Sequence, residues 1–216
     1  MAMKLLFDFG GVLVDLDRER CIRAFSDLGI DVSHFLGAFK QSGPFSAIER
    51  GEMGIPQFCS EVRKLCPGRD VTDEQIVQAW QSFLVGVPDD RLNMLLKIHR
   101  HYSVNVLSNT NAIHWAMASQ GYFRQGGHTL DDYFDEVLLS CELGMEKPEP
   151  EVFGTVVKRL QTEPSDILFL DDSETNCEAA RSCGLKALLA PAGGAWLKYF
   201  DEEGRLLPDY SHTELI

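Results

Sequence analysis

The sequence predicts an α/β fold: a Rossmann-like parallel sheet flanked by helices, with an all-α helical segment inserted after the first strand. Three observations carry that prediction. The strand-like run Lys4–Asp8 is apolar through Leu5-Leu6-Phe7, ends on an acid and is followed by Phe9-Gly10-Gly11. That is how a buried strand delivers a carboxylate to its carboxyl edge, with a loop leaving tightly from there. Four further runs, Ser103–Leu107, Glu136–Ser140, Ile167–Leu170 and Lys186–Ala190, are apolar and β-branched, and helical patterns separate them. Strand–helix alternation of this kind implies parallel strands covered on both faces. The stretch from Leu16 to Val87, by contrast, holds helical patterns and no strand signal.

Taken in order, the first helix runs over Arg18–Leu28 and stops at Gly29. Ile55–Cys66 and Thr72–Leu84 follow, the second opening with a Thr72/Gln75 capping box. Pro88–His99 places Leu92, Leu95, Leu96 and His99 near one face, with Pro88 suited to a first turn. Glu151–Leu160 carries an apolar stripe of Val152, Phe153, Val156, Val157 and Leu160. Ser173–Cys183 ends at Gly184, a C-terminal capping glycine. The weakly patterned tail from Pro191 to Ile216 is expected to wrap the surface. The expected division is a core of residues 1–16 and 88–216 and a helical insertion of residues 17–87.

Of the 216 residues, 44% are hydrophobic and 25% charged, and the formal net charge is −13. So acidic a surface argues against nucleic acid or an anionic membrane as the partner. It permits a small anionic substrate, because a metal ion and one lysine can invert the local field. No apolar run reaches transmembrane length, and no signal-peptide pattern opens the chain. Six scattered cysteines form no CxxC pair and no zinc-spaced cluster, as expected of free thiols in the cytoplasm. The expected assembly is a monomer or homodimer.

Four points converge on one sheet edge if the strands are parallel. Asp8 ends the first strand, Ser108 and Asn109 the second; Lys147 follows the third, and Asp171 and Asp172 end the fourth. Carboxylates, a hydroxyl and a lysine suit phosphoryl transfer. Mg²⁺ takes a few carboxylates plus water and phosphate oxygens. A carboxylate can form an aspartyl phosphate, while lysine and hydroxyl hold the transferring group's charge. No His or Cys accompanies the acids, which disfavours zinc, and Ser108 lacks a GxSxG elbow.

These motifs, in this order and with Asp171-Asp172-x-x-x-Asn176 and Lys147-Pro148, resemble the haloacid dehalogenase superfamily of hydrolases, in the branch with a helical cap after the first strand. Phe-Asp-Phe-Gly-Gly-Val, Ser-Asn-Thr-Asn and Glu49-Arg50-Gly51-Glu52 are most similar to its bacterial sugar-phosphate phosphatases, the α-glucose-1-phosphate phosphatases among them. The resemblance implies an Mg²⁺-dependent phosphatase acting on a small phosphorylated metabolite. It implies Asp8 as nucleophile, and Asp8, Asp172 and the Gly10 carbonyl as metal ligands, with Asp171 either a ligand through water or a partner that holds the ligands in place. Ser108 and Lys147 are implied as phosphate-binding and catalytic. Asn109, Gly11, Asp15 and Glu49 are the further substrate-binding candidates, and Ser108 is also expected to cap the following helix. The family's usual second acid, two residues after the nucleophile, is here Gly10. The leaving-group proton is therefore expected from Asp15, Asp17, Glu49 or water, with activated esters such as sugar-1-phosphates preferred. The alternatives are a 2-haloacid dehalogenase-type hydrolase and a non-catalytic phosphate-binding member of the family.

Overall fold

The computed structural model describes residues 3–37 and 40–211. The outermost ends of the expected core, two residues of the insertion and the last five of the tail lie outside them. Strand β1 (Lys4–Phe7) opens the chain, and the short β2 (Asp15–Leu16) follows its loop. Helices α1 (Arg18–Asp27), α2 (Gly43–Glu49), α3 (Ile55–Arg63) and α4 (Asp73–Gln81) come next, then β3 (Leu84–Gly86). The remaining main elements are α5 (Asp89–Ile98), β4 (Ser103–Ser108), α6 (Ala112–Gln120), β5 (Glu136–Leu139), α7 (Ser140–Leu143), α8 (Pro150–Leu160), β6 (Ile167–Asp171), α9 (Glu174–Ser182) and β7 (Lys186–Leu189).

Five strands form one parallel sheet in the order β5-β4-β1-β6-β7. β1 is central: Phe7 lies in register with Val106 of β4 and Leu170 of β6. The chain builds outward from β1 on one side, then returns to build on the other. Such a reversal leaves a crevice at the strands' carboxyl ends. Side chains alternate between the faces, as the two-residue period of a strand requires. Leu5, Phe7, Val104, Val106, Leu168 and Leu170 enter one core cluster, and Leu6, Leu107, Ile167 and Phe169 the other. All are buried, so the strands read as continuous apolar runs rather than amphipathic ones.

The insertion has its own aromatic centre. Phe45 of α2 meets Phe25 edge-on at 5.6 Å between ring centroids, Phe58 at 5.3 Å and Trp80 at 4.9 Å, all favourable edge-to-face pairings. The Thr72/Gln75 capping box forms as the sequence predicts. The segment is not entirely helical, however. β3 pairs antiparallel with β2, Asp15 opposite Gly86 and Leu16 opposite Leu84, and ties the insertion's two ends together. Three residues are too few for a strand period to register in sequence.

The tail also departs from expectation. Trp196, in a 3₁₀ turn over Ala195–Tyr199, is fully buried. Its ring lies 5.1 Å from Phe7, and its Nε1 donates to the Val12 carbonyl at 3.0 Å. The tail thus supports the loop that follows β1 rather than covering the surface. Trp196→Ala should lower the unfolding free energy by about 3–5 kcal/mol in urea titrations, whereas Leu189→Ala, at a half-exposed position, should cost far less.

Candidate active site

Lys147 lies between two acids from neighbouring strands. Its Nζ donates to Asp8 Oδ1 at 2.5 Å and to Asp171 Oδ2 at 2.7 Å. All three side chains are buried. The lysine backbone is fixed separately: the Asn109 amide donates to the Lys147 carbonyl and accepts from the Lys147 N–H, both at 2.9 Å. Asn109, a substrate-binding candidate from sequence, thus spends its side chain on placing the lysine. Asp171 is fully engaged as well. It accepts from Lys147, from the Ser173 N–H at 2.8 Å and from Asn176 Nδ2 at 3.0 Å.

Among the described residues, no other side chain hydrogen-bonds to or pairs with Asp172. Asp8, Asp171 and Asp172 each offer an oxygen within 4.8 Å of the others', and one lysine cannot neutralise three carboxylates. Burial pushes the Asp8 carboxyl up to about 7; Lys147 opposes the rise, and Asp171 and Asp172 add to it. Burial and the Asp171 charge raise Asp172 to about 6. Burial alone would lower the Lys147 ammonium, but Asp171 and Asp8 more than offset it and raise it above the usual lysine range. An oxygen-only cluster short of positive charge fits a hard divalent cation such as Mg²⁺.

Backbone geometry shapes the rest. Gly11 has φ +80°, and a Cβ there would stand 2.3 Å from Asp172 Oδ2. The close approach of this loop to the acid therefore requires glycine. The Gly11 N–H, on a residue expected at the substrate, donates to the Val14 carbonyl at 2.9 Å. Gly10 lies outside the left-handed region, and a Cβ there would meet only Leu16 Cδ1, at 3.3 Å. Ser108 ends β4 with its Oγ buried and unpartnered beside the cleft. It does not cap α6. Asn111 does, its Oδ1 accepting from the Ile113 and His114 amides, because the chain needs three more residues to turn off the sheet edge.

The cleft above these groups takes in about 680 Å³, part of it open to solvent, and is also walled by Gln41, Glu49, Leu16, Phe83 and Leu84. Asp15, expected at the substrate, instead pairs with Arg91 at 2.6 Å and does not line the cleft. Asp17 caps α1, accepting from the Arg20 N–H. His114 also lines the cleft, with both ring nitrogens occupied. Nε2 meets the Trp80 carbonyl at 2.9 Å, and Nδ1 meets the Asn111 amide at 3.2 Å. The carbonyl can only accept, which sets the neutral Nε2–H tautomer.

Groups that sequence reasoning missed connect the insertion to this site. The buried Glu146, next to Lys147, pairs with Lys40 at 2.7 Å and Arg50 at 3.2 Å, and Arg50 also reaches Glu149. The Ser140 hydroxyl accepts from the Thr110 N–H and donates to the Glu49 carbonyl at 2.5 Å. A small polar residue at a strand's carboxyl edge was the one signal for Ser140. Nothing in sequence pointed to Gln41, whose buried Oε1 has no partner.

The sequence profile of the haloacid dehalogenase-like hydrolases matches residues 5–184. A D-ribitol-5-phosphate phosphatase of Bacteroides thetaiotaomicron is 36% identical over 197 residues, 91% of this chain and 95% of its own length. A crystal structure of a family enzyme from the same organism, in complex with magnesium and inorganic phosphate, superposes with a TM-score of 0.86 at 38% identity. That match covers 93% of this chain and all of the other. A HAD-like hydrolase from Porphyromonas gingivalis superposes at 0.82 with 30% identity, covering 92% of this chain and 95% of its own.

Two measurements on the metal-free protein follow from the charge balance. In EDTA, Asp172→Asn should raise resistance to urea by removing an unneutralised carboxylate. Asp171→Asn should lower it, because Lys147, Ser173 and Asn176 lose an anionic acceptor. His114 supplies a pH dependence. Burial lowers its pKa from 6.5 to about 4, so the unfolded chain binds the extra proton first. Stability should then fall as pH drops from about 6.5 to about 4, less so in His114→Gln, and an NMR titration should find the ring neutral above pH 5.

Proposed function

The chain belongs to the haloacid dehalogenase-like hydrolases, and on that premise we propose that it is the Mg²⁺-dependent phosphatase of a sugar or sugar-alcohol phosphate. It is a phosphoric monoester hydrolase of that family. The carrying observation is the Lys147 ammonium held between Asp8 and Asp171, with the unpartnered Ser108 hydroxyl beside the same cleft. The phosphate is bound in this reading by Ser108 Oγ and Lys147 Nζ. The Asp8 carboxylate attacks phosphorus, the bond to the leaving oxygen breaks, and water then cleaves the aspartyl phosphate.

Asp8, Asp172 and the Gly10 carbonyl would hold Mg²⁺, and Asp171 would orient Lys147. When bound, the cation supplies the positive charge that the carboxylates and phosphate lack. It also favours the ionised form of Asp8, the form that acts as nucleophile. The insertion lies over the cleft and reads the leaving group through side chains such as Glu49 and Gln41. Among sugar phosphates, a polyol phosphate of the ribitol 5-phosphate kind is favoured over glucose 1-phosphate, because the full-length match at 36% identity is named for the former. The dehalogenase alternative is disfavoured, since expelling halide calls for no cluster of three acids.

The test is phosphate release from ribitol 5-phosphate, glucose 1-phosphate and p-nitrophenyl phosphate, with Mg²⁺ and with EDTA. Activity should require Mg²⁺ and return on its re-addition, and ribitol 5-phosphate should be the best natural ester. Asp8→Asn should lower kcat by about 10³-fold or more while leaving the circular dichroism spectrum unchanged. Halide release from 2-chloropropionate that survives EDTA would overturn the reading, as would phosphate binding without turnover.

A further inference from the structure

We propose that Glu49, the last residue of α2, is the catalytic acid that protonates the leaving oxygen and the base that later activates water. The inference rests on the phosphatase reading above and assigns the one role that reading leaves open. A sugar-alcohol alkoxide is as poor a leaving group as hydroxide, whose conjugate acid has a pKa of about 15.7. The bond to phosphorus therefore breaks readily only if the oxygen receives a proton as it departs.

The other titratable groups lining the cleft are committed. Lys147 is locked between two acids, Asp8 is the nucleophile, and Asp172 faces the cation site. His114 is neutral, its one N–H held by the Trp80 carbonyl. Asp15 and Asp17 are engaged outside the cleft, and Gly10 has no side chain. That leaves Glu49, which lines the same cleft as Asp8 and Ser108 from the insertion's side.

Position and protonation both suit the role. The Glu49 carbonyl is fastened by Ser140, whose hydroxyl also holds the Thr110 amide two residues beyond Ser108. The side chain is thus placed relative to the phosphate-binding loop. Burial, with the Glu146 charge adding, raises the Glu49 carboxyl well above the usual range. Glu146 pairs with Lys40 and Arg50, and Arg50 turns to Glu146, Glu149 and Glu52. The remaining titratable neighbour is Cys141, whose thiol burial raises to about 11, so it remains neutral. Burial and the Glu146 charge thus favour the protonated form of Glu49, the form that can donate.

The step balances. An Asp8 oxygen bonds to phosphorus, the P–O bond breaks, and its electron pair takes the Glu49 proton, releasing the neutral alcohol. Glu49, now a carboxylate, removes a proton from the water that attacks the aspartyl phosphate. Inorganic phosphate leaves, Asp8 is freed and the acid is restored.

The experiment compares wild type with Glu49→Gln on ribitol 5-phosphate and p-nitrophenyl phosphate in Mg²⁺. A positioned general acid contributes about 10²–10⁴-fold, so kcat/KM on ribitol 5-phosphate should fall by that factor. On p-nitrophenyl phosphate, whose leaving anion needs no proton, kcat/KM should change by less than about threefold. The same variant should show a burst of nitrophenolate, as dephosphorylation of Asp8 becomes slow. Equal losses on both esters, or none on either, would overturn the assignment. Should Glu49→Gln fail to fold, the wild type alone decides over a series of aryl phosphates. A shallow dependence of kcat/KM on leaving-group pKa supports the donor, and a steep one overturns it. Wild type inactive on every ester would overturn the phosphatase reading itself, a result distinct from these.

Discussion

The buried ammonium of Lys147 is the interaction on which the rest of the site depends. It lies 2.5 and 2.7 Å from acids on two neighbouring strands, and 5.4 Å from the Phe169 ring beneath. A charge so deeply buried is tolerable only when it is paired and hydrogen-bonded. The fold meets that need with a carboxylate at the end of β1 and another at the end of β6, and with Asn109 of the β4 edge clasping the lysine backbone. The lysine therefore ties together strand edges that are distant in sequence. It cannot balance Asp172 as well, which leaves the cluster one acid in excess, as suits a hard cation.

The insertion's contribution is positional. β2 and β3 bind its two ends into one ribbon, so the four helices leave and rejoin the core at a single place. From there two sets of contacts return to the sheet edge. Lys40 and Arg50 reach Glu146 beside the lysine, and the Glu49 carbonyl meets Ser140. The first set is partly exposed, with Lys40 70% accessible, and such pairs contribute little stability individually. Their value lies in orientation, since they hold Gln41 and Glu49 over the cleft. On the proposed reading, phosphoryl transfer lies with strand ends, and the leaving group is met by loops and one helix end, where side chains vary without disturbing the sheet.

Much of this was legible in the amino-acid sequence because its cause is local. Five apolar runs became five parallel strands, since runs buried on both faces have no other use in so short a chain. The Thr72/Gln75 box and the glycines after α1 and α9 act within one turn of chain, and each formed as expected. Asp8, Ser108, Asp171 and Asp172 were identified as residue types at strand ends, which parallel pairing brings to one edge; Lys147, expected after the third strand, is brought there by its loop and the Asn109 clasp.

What the tertiary structure alone decided is how each polar side chain is spent. Asp15 and Asp17 look as available in sequence as Glu49, yet one pairs with Arg91, 76 residues away, and the other caps a helix. Asn109 beside Ser108 reads as a phosphate contact until the Lys147 backbone occupies both ends of its amide. The tail reads as surface until Trp196 is found beneath the loop after β1. Each outcome depends on a partner far along the chain, and periodicity carries no information about such partners. Spacing determines which face or edge a residue occupies, through the 3.6- and 2-residue periods. Which hydrogen bond it makes there is a competition among all the groups that folding brings within about 3 Å.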